Sequence, residues 1–156
     1  MMKYAGILAL VLAASSAQAE GVHGNWKSFS EGGRCHAAAT PASSEGMIEG
    51  RGQAYVAIQN NPGEGVRGSV SFVSGSESTG TGDVRVIVDG KEFEVLPFKD
   101  SAFAASGRPE AALVSAMRRG RELKVEWSLK NGEKATDTYD LGGFTAAKQA
   151  IDSACR

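Results

Sequence analysis

Apolar and polar residues alternate on both sides of two tight turns, and this alternation constrains the fold more than any other feature of the chain. Around Asp89-Gly90 the apolar positions are Val84, Val86, Val88, Phe93 and Val95. Around Asn131-Gly132, residues 123–129 alternate in the same way and residues 133–141 form the return arm. A period of two places apolar side chains on one face, and Asp-Gly and Asn-Gly favour two-residue hairpin turns. Both stretches therefore predict antiparallel β-hairpins.

Shorter apolar segments predict further strands, and glycine-rich segments predict the loops between them. We expect strands at residues 26–29, 34–39, 54–59 and 69–73. Residues 40–52 have the composition of a surface loop, and residues 75–82 are almost wholly Gly, Ser and Thr, which predicts a mobile loop. A phosphate-binding loop requires a helix after it, whereas a strand follows here, so we expect no phosphate site.

Two segments have helical character. Residues 109–119 begin with a proline and an acidic residue and end before a glycine, as helices commonly do. Phe144, Ala147, Ile151 and Ala154 recur every three or four residues, which predicts a short amphipathic helix at the C-terminus. Because short turns join most neighbouring strands, we expect an antiparallel β-sandwich or open barrel with these two short helices.

The N-terminus has the three zones of a secretory signal peptide. Lys3 supplies a positive charge, residues 4–14 form an apolar run, and Ala17-Gln18-Ala19 has the small residues of a cleavage site. The run is too short to cross a bilayer as a helix, and no second such run follows. We therefore expect residues 1–19 to be removed, leaving residues 20–156 as one soluble β-rich domain in the periplasm or outside the cell.

The charge balance argues against a nucleic-acid partner. The chain has 17 Lys and Arg residues against 18 Asp and Glu residues. Loss of residues 1–19 removes only Lys3, which leaves 16 basic residues and a net charge near −2. Nucleic-acid-binding domains are usually strongly basic, so the exported chain is expected to bind no nucleic acid.

The two cysteines, Cys35 and Cys155, are expected to form one disulfide, because compartments beyond the inner membrane are oxidising. Two free thiols are the alternative. His36 follows Cys35, but neighbours on a strand point to opposite faces and a disulfide-bonded cysteine has no thiolate. His23 is expected in a disordered N-terminal segment, and two histidines fall short of zinc's usual ligand number. We therefore expect no catalytic residue, no metal and no cofactor.

Asp137 and Asp140 could be imagined as an acid–base pair. Their arm is polar at alternate positions, including Thr136 and Thr138, so we interpret both carboxylates as part of a solvated sheet face or a turn. A serine nucleophile would need a strand-turn-helix elbow and a histidine base, and residues 75–82 lack that context. These patterns predict that the protein is not an enzyme.

Arg118, Arg119 and Arg121 form the basic cluster of the sequence. They could meet an acidic partner, an anionic lipid head group or a polysaccharide, or they could merely cap and solvate the end of the helix at residues 109–119. Trp26 and Trp127 are predicted core residues, although Trp26 could instead belong to a partner-facing patch near the new N-terminus.

Two sets of residues together form the pattern of a known family. In the second half of the chain they are residues 86–93, Ala102-Phe103, residues 112–120, and residues 136–147 running into Ala154-Cys155. In the first half they are Trp26, Cys35, Arg51-Gly52, Tyr55-Val56 and Val70-Ser71. On these residues the chain resembles the invasion-associated locus B family of exported alphaproteobacterial proteins. The sequence departs from the family pattern at Gly75-Ser76, where an aromatic commonly follows the glycine, and at Phe103, where a tryptophan is common.

The resemblance implies an exported β-rich module linked to host-cell invasion or association, and it implies no catalytic motif. We therefore expect a non-catalytic envelope or surface interaction protein whose partner is a protein or envelope component. The polar arm at residues 133–141 is expected to offer a possible sheet edge to such a partner. A small exported enzyme of the hydrolase type is the alternative.

Overall fold

The computed structural model describes residues 19–76 and 81–156, which form two antiparallel β-sheets and two α-helices. The first sheet has seven strands in the spatial order β1-β2-β3-β5-β6-β10-β9. Its strands are β1 (Ala19–His23), β2 (Trp26–Glu31), β3 (Arg34–Ala39), β5 (Tyr55–Asn61), β6 (Val66–Val73), β9 (Val95–Phe98) and β10 (Ser101–Ala104). The second sheet has five strands in the order β4-β12-β11-β7-β8. Its strands are β4 (Ser43–Met47), β7 (Thr81–Val88), β8 (Lys91–Phe93), β11 (Glu122–Leu129) and β12 (Lys134–Asp140).

Both predicted helices are confirmed, as α1 (Arg108–Arg119) and α2 (Phe144–Ala154). In α2 the predicted apolar stripe is buried at Phe144, Ala147 and Ile151. Among the described residues, neither helix is long and apolar enough to span a membrane. The two antiparallel sheets with two short helices, one of them C-terminal, are the expected β-sandwich rather than a barrel closed within the described residues.

The main hydrophobic core lies between the two sheets, because alternate residues of most strands point inward, and a small second cluster contains Ile48, Leu129 and Ala135. Leu123, Val125 and Trp127 on β11 are buried as their alternation predicts. Trp26 is fully buried, its Nε1 donates a hydrogen bond to the carbonyl oxygen of Asp140 at 3.1 Å, and its ring meets Phe144 edge-on. Both tryptophans are therefore core residues, as predicted, and the alternative that Trp26 belongs to a partner-facing patch is wrong.

The predicted disulfide is confirmed. Cys35 on β3 is bonded to Cys155 at the end of α2, with a Cα–Cα distance of 5.9 Å across a sequence separation of 120 residues. Both cysteines are buried, so the bond anchors the C-terminal helix to the interior of the seven-stranded sheet.

The first predicted hairpin divides between the two sheets. Val86 pairs with Phe93 in the five-stranded sheet, whereas Val95 begins β9 and pairs with Ala104 in the seven-stranded sheet. Phe93 and Val95 are both buried, as the alternation predicts. The alternation specifies which side chains point into the core. Between Phe93 and Val95 the chain crosses from the five-stranded to the seven-stranded sheet, and both side chains still point into that core.

Two segments expected to lack regular structure contain strands. Residues 40–52 include β4, which pairs with β12 through backbone contacts such as Asp137 with Ser44. Consequently β12 lies between β11 and β4, and the expected free edge along residues 133–141 was wrong. His23, expected to be disordered, lies in β1 and pairs with Trp26 on β2.

The described ends of the glycine-serine segment contain buried residues. Ser76 and Thr81 are buried, and Thr81 begins β7. Gly75 has a φ of +76°, and a Cβ there would lie 2.5 Å from the carbonyl oxygen of Gly52, so this close backbone contact requires glycine. Residues 77–80 and the expected signal segment at residues 1–18 lie outside the described residues.

Candidate functional site

The residues considered for nucleophilic chemistry have other partners. Cys35 is in the disulfide, and His36 lies on the opposite, exposed face of β3, where its ring stacks on Phe29 at 4.7 Å. Partial burial lowers the pKa of His36. His23 Nε2 lies 3.0 Å from Ser28 Oγ. Within residues 19–76 and 81–156, no three His, Cys, Asp or Glu side chains are grouped to hold a metal ion.

Asp137 lies in the core rather than on a solvated face, which corrects the interpretation from its polar neighbours. Its side chain is 0% exposed. Oδ1 accepts a hydrogen bond from Ser44 Oγ at 2.7 Å, and Oδ2 accepts hydrogen bonds from Trp127 Nε1 at 2.8 Å and from the Arg51 guanidinium. Since both carboxylate oxygens are occupied and neither reaches the surface, Asp137 has no access to a substrate.

Asp140 does not join Asp137 in an acid–base pair. The two residues are three apart on β12, so Asp137 points inward and Asp140 outward. Asp140 Oδ1 accepts a hydrogen bond from the backbone N–H of Gly142 at 2.7 Å, which stabilises the turn before α2. Asp137 therefore makes contacts in the core, whereas Asp140 stabilises a turn.

Arg51 connects this buried carboxylate to the segment that follows β6. Its Nε donates to the carbonyl oxygen of Ser74 at 2.6 Å, and the backbone N–H of Gly52 donates to Gly75 at 2.7 Å. The Arg51–Asp137 ion pair thus attaches the segment between β4 and β5 to the five-stranded sheet.

The same group of charges affects Tyr139 on β12. Burial, with a smaller contribution from the negative charge of Asp137, raises the pKa of the Tyr139 hydroxyl far above its ordinary value.

A cleft of about 570 Å³ lies between α1, α2 and β6. Three basic side chains line it, one from each of these elements: Arg67, Arg118 and Lys148. Two carboxylates, Glu110 and Asp152, line it as well. We call this group of five residues the helix cleft.

Of the three basic side chains of the helix cleft, Lys148 and Arg118 have an ion-pair partner, Asp152. Asp152 accepts hydrogen bonds from Lys148 Nζ at 2.7 Å and Asn60 Nδ2 at 2.8 Å, and it lies 3.7 Å from Arg118. Burial acts to raise the pKa of Asp152, but the hydrogen bonds from Lys148 and Asn60 outweigh it and the pKa is lowered. Arg67 is exposed and has no ion-pair partner within the described ranges.

Glu110 is the second acid of the helix cleft. It accepts a hydrogen bond from the backbone N–H of Val70 at 3.0 Å. Its partial burial raises the pKa of its carboxyl, and the hydrogen bond from Val70 opposes that shift. Three cations against two carboxylates leave the cleft with one excess positive charge at neutral pH.

The structure does not gather the basic cluster of the sequence at one site. Arg118 lines the helix cleft, Arg119 donates to Ser115 Oγ at 2.7 Å, and Arg121 borders a different depression beside Asp140. Sequence analysis missed Arg67 and Lys148, which come from β6 and α2. Lys148 stands four residues before Asp152, a spacing that indicates a helical ion pair, whereas no local signal marks Arg67.

A family model described as the Invasion associated locus B (IalB) protein matches residues 27–152. The chain belongs to this family. No curated protein and no solved structure matches it significantly.

The structure brings together the segments on which the resemblance to the invasion-associated locus B family rests. Arg51, from the Arg-Gly pair of the first half, contacts Asp137, from the long run of the second half. In the same run, Gly143 lies against the turn after β1, and Phe144 packs on Trp26. In this member of the family, these signature residues make contacts that hold the fold together.

Proposed function

We propose that this invasion-associated locus B family member is an exported, non-catalytic binding module of the bacterial envelope or cell surface. Its family membership supports an exported protein associated with invasion. The disulfide also supports this location, since such bonds persist in oxidising compartments and are rare in the cytosol.

The observation that carries the proposal is the helix cleft with its excess of one positive charge. Arg67 and Arg118 stand at a concave surface with solvent access, which suits an acidic group of an envelope component or partner protein. Because these guanidinium groups are exposed, the attraction is screened by salt. The binding we propose is therefore strongest at low ionic strength.

The residues best suited to chemistry support a role without catalysis. Cys35 has no free thiol, Asp137 is saturated by hydrogen bonds in the core, and His36 stacks on Phe29. An activated nucleophile needs a base within about 2.6–3.2 Å and a third group that orients the base. We propose that the protein acts through its surfaces.

Binding to isolated cell envelopes tests the proposal with two variants that each remove two positive charges. Arg67→Ala/Arg118→Ala removes charge from the helix cleft, whereas Arg119→Ala/Arg121→Ala removes it from the rest of the basic cluster. In a co-sedimentation assay we expect the cleft variant to bind about tenfold more weakly at low salt, with the difference shrinking as salt rises. We expect the control to bind as the wild type does, and both to keep the wild-type melting temperature.

Equal loss of binding in the two variants would indicate a general charge effect and would remove the helix cleft from the proposal. Hydrolytic turnover by the purified protein that disappears in a His36→Ala variant would reject the non-catalytic role and favour the exported hydrolase.

A further inference from the structure

The outer face of the seven-stranded sheet is unusually poor in charge. The strand registers align one outward row across all seven strands: Val22, Lys27, Ala38, Ala57, Ser71, Phe103 and Leu96. A second outward row contains Tyr55, Val73, Ser101 and Phe98, and a third contains Glu20, Phe29, His36, Gln59 and Ser69. We call these three rows the open face. From β3 to β9 they contain no Asp, Glu, Lys or Arg.

Large apolar side chains are concentrated on the open face. Of the six exposed large hydrophobic residues in the described part of the chain, five lie there: Val22, Tyr55, Leu96, Phe98 and Phe103. Leu96 and Phe98 are 54% and 61% exposed. Scattered apolar residues are normal on a protein surface, but a contiguous group marks an interaction surface.

The outer face of the five-stranded sheet provides an internal comparison. There, Arg85 forms ion pairs with Glu92 at 2.9 Å and with Glu126 at 2.8 Å, and Lys124 lies 3.6 Å from Glu122. This is the pattern of a solvated sheet face. The two outer faces therefore differ: the open face has an ion pair only at its β1–β2 side, where Lys27 lies 3.7 Å from Glu20, and its rows are uncharged from β3 to β9.

One edge of the seven-stranded sheet is less suited to a partner than its face. Pro97 occupies the edge strand β9 and pairs with Ala102 on β10. Proline has no N–H to donate, so it weakens edge-to-edge strand pairing at β9, whereas β1, the strand at the other edge, has no proline. On the β9 side, where Leu96 and Phe98 are exposed, a partner is expected to stack on the sheet rather than extend it.

We propose that the open face is the interface of a homodimer, in which a second copy of this chain stacks sheet on sheet. A two-fold axis lying in the interface and running along the central strand β5 places Ala57 opposite its own copy. The same axis places Val22 opposite Leu96 of the second copy and Lys27 opposite Phe103, a cation-to-ring contact. Small central side chains, Ala38, Ala57 and Ser71, allow the two sheets to approach, while the large ones fill the two sides.

The area of the open face is sufficient for a specific dimer. Its three rows hold sixteen outward positions, and with strands about 4.8 Å apart and outward residues about 7 Å apart along each strand they cover roughly 540 Å² per copy, or about 1,100 Å² in total. A biological interface should exceed about 1,000 Å². The nearly uncharged centre, where a buried ion would be costly to desolvate, matches the depletion of charge at interface cores.

Sedimentation equilibrium of the chain, expressed with its own leader and purified from the periplasm, tests the dimer. We expect a concentration-dependent dimer for the wild type, and an Ala57→Lys variant whose dissociation constant is at least about thirtyfold higher. Ile87→Lys, a half-buried outward position on β7 of the other sheet, is the matched control and should dimerise as the wild type does. At a concentration low enough to keep the wild type monomeric, both variants should have its melting temperature, because a long side chain at either position extends into solvent in the monomer. At higher concentration, dimerisation should raise the melting temperature of the wild type and of Ile87→Lys but not that of Ala57→Lys.

Mixing Ala57→Lys with Ala57→Glu provides a second, independent readout. If Ala57 faces its own copy, each variant is monomeric alone and the mixture recovers a dimer, because opposite charges then meet at the axis. A wild type that remains monomeric at roughly 1 mM would overturn the proposal, as would a dimer that Ala57→Lys leaves intact. A monomer that co-sediments with phosphatidylglycerol vesicles through the open face would also overturn it, in favour of a lipid surface.

Discussion

At the scale of single residues, the neighbours of a side chain in the sequence are a poor guide to its surroundings. Asp137 stands between two threonines on a polar arm, yet it is buried with the Arg51 guanidinium and the Trp127 indole. A buried carboxylate is tolerated because every oxygen has a partner. Removing one member of such a pair leaves the other desolvated without compensation, so the pair is costly to break.

Asp137→Asn tests that residue directly, since it keeps the shape of the side chain and removes the charge. We expect a loss of about 3 kcal/mol in the free energy of unfolding, measured by urea denaturation, because Arg51 is left unpaired. Glu92→Gln, at an exposed ion pair with Arg85, should leave the free energy of unfolding nearly unchanged. Equal effects of the two substitutions would contradict the structural role of Asp137.

At the scale of elements, contacts at both ends of α2 attach the helix to the seven-stranded sheet. At its start, the turn after β1 approaches the Gly142-Gly143 pair, and the backbone N–H of Asn25 donates to the carbonyl oxygen of Gly142 at 3.3 Å. At its end, Cys155 is bonded to Cys35. The helix is therefore held against β1, β2 and β3.

Gly143→Ala should disrupt the contact at the start of α2. A Cβ at this position would lie 1.8 Å from the carbonyl oxygen of His23, and φ is +97°. Gly132→Ala separates the two effects, because Gly132 has a similar φ of +91° but nothing within 4 Å of its Cβ position. In thermal unfolding we expect about 1–2 kcal/mol of destabilisation from φ alone at Gly132, and clearly more at Gly143. Equal losses of stability in the two variants would show that the turn after β1 can move away from residue 143 without a cost in free energy.

The disulfide should provide a large share of the stability. In the chain-entropy model, cross-linking a loop of about 100 residues contributes roughly 4.7 kcal/mol, against about 5–15 kcal/mol for a typical domain. We expect Cys35→Ala/Cys155→Ala and the reduced wild type to lose similar amounts in guanidinium denaturation. A much larger loss in the double variant would assign the effect to packing rather than to the cross-link. Titration of denatured, unreduced wild type should find almost no free thiol.

At the scale of the whole molecule, the two sheets share one core but present different outer surfaces. The five-stranded sheet has an ion-paired outer face, the seven-stranded sheet has the open face, and the helix cleft opens where α1 and α2 meet β6. The molecule thus separates a charged groove from an apolar surface. An acidic ligand and a second copy of the chain could occupy these two surfaces at once.

Export concerns the whole molecule as well, and we predict that residues 1–19 are cleaved off during export. Ala19 is the first residue of β1 and pairs with Ser30, so cleavage after it shortens the strand by one residue and leaves Glu20 paired with Phe29. Mass spectrometry of protein recovered from the periplasm should find Glu20 at the N-terminus. An intact Met1 on periplasmic protein would overturn the prediction.

Local patterns in the sequence were enough to determine many of the elements, although not β1 or β4. The strands at residues 34–39 and 123–129 and the helix at 144–154 follow from periodicity and flanking turn residues. The oxidised cysteine pair followed from the export signal. These features depend on residues close in sequence, or on the compartment, and need no knowledge of which strands become neighbours.

The tertiary structure decided which strands pair and which polar residues are buried. Alternation places Phe93 and Val95 on the same face, but only the packing assigns them to different sheets. Arg51 and Asp137 are 86 residues apart, so the burial of the carboxylate depends on a partner that no local pattern identifies. Arg67 and Lys148 likewise meet in the helix cleft only because α1 packs against both β6 and α2. Side-chain periodicity is a local property, whereas pairing and desolvation are set by contacts between distant segments.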